Sequence, residues 1–175
     1  MKYLILIADI DEFNPCKESL GELVEKEYKI KHMPAFDFTY NSHKCTAVCF
    51  GIGKVNAAMG ATLALSTDTY DGVINTGWSG AVSGVLKGDI IVSDSCVECD
   101  FDLTPIGRLP GQKPCQDEYV YKCNNDLYNA ACAVKGFKHG ALGTGDFFLT
   151  DKERRERYKE IFKINAQFKQ RKWLG

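Results

Sequence analysis

The feature that most constrains the fold is a regular alternation of short apolar runs with helical patterns along the chain. The strand-like apolar runs are YLILIA (3–8), TAVCFGI (46–52), GVINTG (72–77), GDIIVSDSCVECDFDL (88–103) and HGALGTG (139–145). The helical patterns between and after them are ESLGELVEKEY (18–28), GKVNAAMGATLALSTDTY (53–70), NDLYNAACAVKG (125–136) and DKERRERYKEIF (151–162). Nearly continuous apolar strands alternating with helices indicate a sheet covered on both faces. The sequence therefore predicts a three-layer α/β/α fold with a central mixed sheet.

Composition limits the partners of such a fold. The chain of 175 residues has 22 basic and 23 acidic residues, so a net charge of -1 argues against nucleic acid or an anionic membrane as a partner. No stretch approaches the roughly 20 apolar residues that span a bilayer. The first apolar run ends at Asp9, Asp11 and Glu12, which is typical of a buried strand rather than a signal peptide. We expect one cytoplasmic domain over residues 1–162, followed by a basic tail over 163–175.

The eight cysteines do not form a zinc-binding pattern. Cys96 and Cys99 have the spacing of two zinc ligands, but no second CxxC or HxxxH motif completes a set of four. Cysteines inside apparent strands and helices behave as small hydrophobic residues. We therefore expect reduced thiols and no metal site.

Three glycine-rich turns are candidates for ligand binding, because ligands of α/β sheets gather where strands end. They are FGIGKVNAA (50–58), NTGWSGA (75–81) and GTGDFFL (143–149). The first lacks the third glycine of the dinucleotide motif GxGxxG, and it is not a P-loop. The spacing of the glycines indicates only that the backbone closely approaches a neighbouring group. Tight turns that bind no ligand therefore remain an alternative to ligand-binding turns.

Taken together and in order, several segments are similar to one family. GIGKVNAAMGATLAL, VINTGWSGAV, LKGDIIVSD, DFDLTPIG, GQKP and TGDFF resemble the 5'-methylthioadenosine/S-adenosylhomocysteine nucleosidases of the nucleoside phosphorylase superfamily, over residues 1 to about 162. The resemblance implies a nucleoside phosphorylase-like fold and hydrolysis of the N-glycosidic bond with release of adenine. It also implies a small nucleoside substrate, no cofactor and a homodimer.

The resemblance assigns the water-activating carboxylate to Glu12, in the segment ADIDEF. A carboxylate suits this task because it accepts a proton and stabilises nearby positive charge. The alternative is a solvated helix-start residue favoured by the helix dipole. Asp9, Asp11 and Glu12 would repel phosphate, so hydrolysis is favoured over phosphorolysis.

The same resemblance places Gly77, Trp78 and Ser79 in the turn that lines the ribose. Trp78 stands where the family often has a serine. Either Ser79 replaces that hydroxyl, or Trp78 fills and narrows the pocket.

Five further residues match substrate-binding positions of the family. Ile52 matches a residue beside the 5'-substituent, Phe148 the aromatic ring stacked on the purine, and Leu149 the residue whose backbone binds the purine edge. Ile106 and Pro114 match positions that a partner subunit contributes. Core packing is the alternative for one of Phe147 and Phe148.

After FKINA the chain departs from the family pattern and reads QFKQRKWLG. The resemblance leads us to expect a methionine–glutamate pair and an aspartate that protonates adenine, and neither follows. We therefore expect a C-terminally truncated member with little or no activity by itself. A purine nucleoside phosphorylase and a non-catalytic remnant that binds purine or dimerises are the alternatives.

Overall fold

The computed structural model describes residues 1–168, so the last part of the predicted basic tail, with Trp173, lies outside the described residues. The chain divides into two compact units, Met1–Trp78 and Ser79–Gly175. Each unit has its own five-stranded mixed sheet with helices. The α/β class predicted from the sequence is confirmed.

The first unit is built on a sheet whose strand order is β2-β3-β4-β1-β5. Its elements are β1 (Lys2–Ile7), α1 (Ile10–Leu20), β2 (Val24–Ile30), β3 (Met33–Tyr40), β4 (His43–Cys49), α2 (Lys54–Leu65) and β5 (Gly72–Thr76). The strand β1 runs parallel to both β4 and β5, whereas β2, β3 and β4 are joined as antiparallel neighbours. Ile7 pairs with Cys49 on one side and with Thr76 on the other. Three strands therefore end at one edge of the sheet, where a ligand site is expected.

Hydrophobic clusters cover both faces of this sheet. On one face Phe13 of α1 packs against Phe36, with 5.0 Å between ring centroids. On the other face α2 brings Ala64 against buried residues that include Leu4 and Val48. The sheet of the first unit is thus sandwiched between helices, as the continuous apolar character of β1 and β4 predicts.

The helix predicted over residues 18–28 is wrong. The helix α1 begins at Ile10, after Asp9, whose side chain accepts a hydrogen bond from the Asp11 N–H. It ends before Gly21, which has a φ of 51°, in the left-handed region that favours glycine. Val24–Ile30 is strand β2, paired with β3. The closely spaced charged residues of this segment are found in surface helices as well as in edge strands. The sequence pattern of so short a segment therefore does not distinguish a helix from a strand.

The second unit has the strand order β6-β10-β9-β7-β8. Its elements are β6 (Ser79–Ala81), β7 (Ile91–Glu98), β8 (Val120–Lys122), α3 (Asn125–Cys132), β9 (Lys138–Thr144), α4 (Lys152–Phe162) and β10 (Ala166–Phe168). The long strands β7 and β9 run parallel, and β10 is parallel to β9. The helices predicted over 125–136 and 151–162 are confirmed, with α3 ending earlier.

Residues at the start of the predicted tail are built into this second unit. Ile164 is fully buried, and Ala166 pairs with Leu142 in β9 and with Ala81 in β6. The Asn165 side chain accepts a hydrogen bond from the Ala141 N–H and donates one to the Ser83 carbonyl. Asn165 therefore ties three segments together just before β10.

Candidate active site

The Glu12 side chain is fixed at the strand edge of the first unit. Glu12 lies in the first turn of α1, and its Oε1 accepts a hydrogen bond from the Trp78 N–H at 2.7 Å. The two residues meet because β1 and β5 are parallel neighbours, so α1 and the turn after β5 leave the same edge. Glu12 is half-buried. The geometry is that of a held carboxylate and not that of a freely solvated helix-start residue.

Gly77 is the residue that permits this contact. A Cβ atom at position 77 would lie 2.7 Å from Glu12 Oε2 and 3.2 Å from its carboxyl carbon. Real Cβ atoms do not approach other atoms so closely, so any larger residue would displace the carboxylate. The structure thus brings together Glu12, Gly77 and Trp78, three of the residues that the sequence analysis selected.

Burial raises the pKa of Glu12 above its usual value of 4.5, and the nearby negative charge of Asp9 acts in the same direction. The hydrogen bond from the Trp78 N–H acts in the opposite direction, because it favours the charged form. A carboxylate with a raised pKa is a stronger base than an exposed one. Such a group can accept a proton from a water molecule at neutral pH.

The turn between β4 and α2 carries Ile52. Gly51 and Gly53 on either side of it have φ values of 93° and 104°, so the turn depends on glycine at both positions. The Ile52 carbonyl accepts a hydrogen bond from the Asn56 side chain at 2.7 Å, which fixes the turn on the first helical turn of α2. Ile52 itself is half-buried, and the Trp78 side chain is 51% exposed.

In the second unit, the turn after β9 carries two consecutive phenylalanines that have different surroundings. Phe147 packs on α4, with its ring 5.9 Å from that of Tyr158 and the Arg154 guanidinium 5.0 Å from its centroid. Phe148 is 36% exposed. Phe147 therefore packs against α4, and the more exposed Phe148 stays the predicted purine contact of the pair.

The remaining predicted residues of the second unit lie in other segments. Ser79 begins β6 and Leu149 follows Phe148, both half-buried. Ile106 ends a 3-10 turn and is 70% exposed, and Pro114 is exposed in the loop before β8. An exposed isoleucine and proline are available to a partner surface, which agrees with the predicted role without testing it.

A cavity of about 440 Å³ in the second unit was not foreseen from the sequence. Among its lining residues are Asp100, Phe147, Arg154, Arg157 and Tyr158. None of the predicted site residues lines it, so it is distinct from the predicted purine contacts of Phe148 and Leu149. Its residues come from the loop after β7, from the turn after β9 and from α4, and no local sequence motif predicts that these segments meet.

Within residues 1–168, His, Cys, Asp and Glu side chains form no group of three or more that could hold a metal ion. In the same part of the chain, no helix has both the length and the apolar character needed to cross a bilayer. All eight cysteines are free thiols.

Comparison with known proteins identifies the family. The phosphorylase superfamily matches residues 2–166. A 5'-methylthioadenosine/S-adenosylhomocysteine nucleosidase of Staphylococcus carnosus is 32% identical over 164 residues, which are 90% of this chain and 71% of that protein. An aminodeoxyfutalosine nucleosidase of Campylobacter jejuni is 29% identical over 179 residues, which are 95% of this chain and 74% of that protein.

A solved structure agrees with these sequence matches. A mutant of the Helicobacter pylori nucleosidase MTAN with 5'-methylthioadenosine in its active site superposes with a TM-score of 0.87 at 25% identity, over 96% of this chain and 74% of that one. The chain belongs to the phosphorylase superfamily and, within it, to the 5'-methylthioadenosine/S-adenosylhomocysteine nucleosidase family. It spans between about half and three quarters of the length of the relatives it matches, 51% for a Marinomonas nucleosidase and 71% for the Staphylococcus one.

Proposed function

We propose that the protein hydrolyses the N-glycosidic bond of adenine nucleosides that carry a thio substituent at the 5' position of ribose. The observation that carries this proposal is the half-buried Glu12 carboxylate, held by the Trp78 N–H at a strand edge. The names of the relatives support the substrate class, because they include nucleosidases for 5'-methylthioadenosine and S-adenosylhomocysteine. The relative named for aminodeoxyfutalosine makes that nucleoside a further substrate to compare.

In the proposed reaction Glu12 takes a proton from water as the water oxygen bonds to C1' of the ribose. The bond between C1' and the purine nitrogen breaks, and adenine leaves with the bonding electrons and takes up a proton from solvent water. The carboxylate also stabilises the positive charge that develops on the sugar. The carboxylate accepts backbone hydrogen bonds from Trp78 and Asp9, and because an ionised carboxylate has about four lone-pair sites, it keeps the capacity to accept a proton from water.

We assign the purine contacts to Phe148 by stacking and to Leu149 by its backbone. Stacking of a base on an aromatic ring contributes roughly 1–3 kcal/mol, and Phe148 is the more exposed of the two adjacent rings. Ile52 is our candidate beside the 5' substituent, and Gly77, Trp78 and Ser79 are candidates for the ribose. We further propose a homodimer in which the exposed Ile106 and Pro114 contact the partner.

Hydrolysis is preferred to phosphorolysis in this proposal because the turn after β1 is acidic. Asp9, Asp11 and Glu12 stand there, and their charges oppose binding of phosphate. The eight free cysteines support a reducing, cytoplasmic location. The low activity expected from the sequence stays a prediction, and the absolute rate of adenine release tests it.

The test is product analysis after incubation with 5'-methylthioadenosine, with and without phosphate. We expect adenine and 5-methylthioribose in both conditions, at the low rate expected from the sequence, and no sugar phosphate. Appearance of 5-methylthioribose 1-phosphate only when phosphate is present would assign the chain to the phosphorylases. Adenine binding without release would leave a purine-binding protein in place of a hydrolase.

A further inference from the structure

The turn that presents Phe148 is held by a residue far away in the sequence. Asp100, just beyond β7, accepts a hydrogen bond from the Asp146 N–H, with 2.7 Å between the nitrogen and Oδ2. The preceding residues are tied in the same way, because the Cys99 N–H donates to the Thr144 carbonyl at 2.8 Å. Two consecutive residues of one segment therefore fix the end of β9 and the turn that follows it.

Side-chain packing closes around this hydrogen bond. A Cβ atom at Gly145 would lie 2.9 Å from Phe147 Cε1 and 3.2 Å from the carboxyl carbon of Asp100. Gly145 is itself buried. The Asp100 carboxylate and the Phe147 ring thus enclose the turn on its inner side, where both line the cavity of the second unit.

Phe147 transmits this restraint to α4. Its ring contacts Tyr158 edge to face, and Arg154 lies over its face. Because Phe147 is held there, the backbone leaving it carries Phe148 to the exposed side. The turn that carries Phe148 is therefore held by Asp100 through the Asp146 N–H and by the packing of Phe147 against α4.

We propose that Asp100 is a positioning residue for purine binding, which acts by holding the Gly145–Phe148 turn through the Asp146 N–H. This inference rests on the proposed function, because it takes Phe148 as the ring that stacks on adenine. Asp100 does not touch the nucleoside in this account. Its charge matters because a charged acceptor binds a backbone N–H more strongly than a neutral one.

The test compares adenine binding by the intact chain and by Asp100→Ala, Asp100→Asn and Asp102→Ala. Asp102 is the matched control, because its carboxylate accepts hydrogen bonds from the backbone and hydroxyl of Thr104 and so caps a different turn of the same loop. We expect Asp100→Ala to weaken adenine binding about tenfold. Asp100→Asn retains an acceptor oxygen but not the charge, so it should restore only part of the affinity, and Asp102→Ala should leave adenine binding unchanged.

Each outcome decides a separate point. Equal adenine affinity in Asp100→Ala and the unsubstituted chain, or an equal loss in Asp102→Ala, would overturn the positioning role. No adenine binding by the unsubstituted chain would overturn the proposed purine site itself. Should Asp100→Ala not fold, Gly145→Ala serves instead, because its methyl group displaces the same carboxylate and ring; unchanged affinity there would also contradict the proposal.

Discussion

The Trp78 N–H and the Glu12 carboxylate form a hydrogen bond of 2.7 Å between residues that are 66 positions apart. The bond satisfies one oxygen of a half-buried carboxylate and fixes its direction. Burial raises the pKa of the same group. Orientation and basicity are the two properties that a general base needs, and one backbone contact at the end of β5 supplies the first.

Substitution of Gly77 by alanine should lower the rate of adenine release. The new methyl group would lie 2.7 Å from Glu12 Oε2, so the carboxylate must move. Misplacement of a reacting group by about 1 Å costs up to about 100-fold in rate. Initial rates with 5'-methylthioadenosine measure the effect.

Gly80→Ala is the control for that substitution, since Gly80 lies in the same glycine-rich segment. A Cβ atom there meets only the Gln167 carbonyl, at 3.7 Å, which is an ordinary contact. The Gly80→Ala rate should equal that of the unsubstituted chain. Equal rates for all three proteins would show that the position of Glu12 does not limit the reaction.

The acid limb of the pH–rate profile should lie above the usual glutamate pKa of 4.5. Burial raises the Glu12 pKa, so the carboxylate is protonated, and the base lost, at a higher pH than for an exposed glutamate. As pH falls through this raised value, kcat/KM should fall with a slope of one proton. A limb centred at or below 4.5, or one that persists in Glu12→Gln, would assign the titration to another group.

Replacement of Gln167 by methionine should stabilise the protein. Gln167 in β10 is 3% exposed, and among the described residues neither its Oε1 nor its Nε2 has a hydrogen-bond partner. A buried amide without a partner costs about 1–3 kcal/mol, and methionine has a similar shape without that cost. Urea unfolding should show a higher midpoint with an unchanged slope.

The exposed Gln116 provides the comparison for Gln167. Gln116→Met should change the free energy of unfolding by less than about 0.5 kcal/mol, as is usual at surface positions. A loss of stability in Gln167→Met would mean that the amide is satisfied in solution.

Strands with strong patterns could be predicted, whereas short polar segments could not. YLILIA coincides with most of β1, because a continuous apolar run buries well in a parallel sheet, and HGALGTG coincides with most of β9. The segment 18–28 has helix-forming charged residues, yet Val24–Ile30 pairs with Met33–Tyr40 as a hairpin. The structure of this segment is decided by its pairing with β3, which cannot be predicted from the local sequence pattern.

Individual residues of the candidate site could be predicted from the sequence, whereas their contacts could not. Glu12 and the glycine-rich turns could be selected from sequence, since they resemble family segments in order. The contact of Glu12 with the Trp78 N–H depends on the parallel pairing of β1 and β5. The contact of Asp100 with Asp146, 46 positions away, depends on the alignment of β7 with β9, in which Glu98 pairs with Thr144. The register of β1 with β5 and that of β7 with β9 cannot be predicted from the spacing of residues in the sequence.

The most direct test of the account is the rate of adenine release from 5'-methylthioadenosine by the unsubstituted chain, Glu12→Gln and Glu18→Gln. Glu18 is an exposed carboxylate on the same helix and controls for the loss of charge. The account predicts release that does not require phosphate, a decrease of at least about 100-fold in Glu12→Gln, and no decrease in Glu18→Gln. Equal release by the unsubstituted chain and Glu12→Gln, or release only with phosphate, would contradict it.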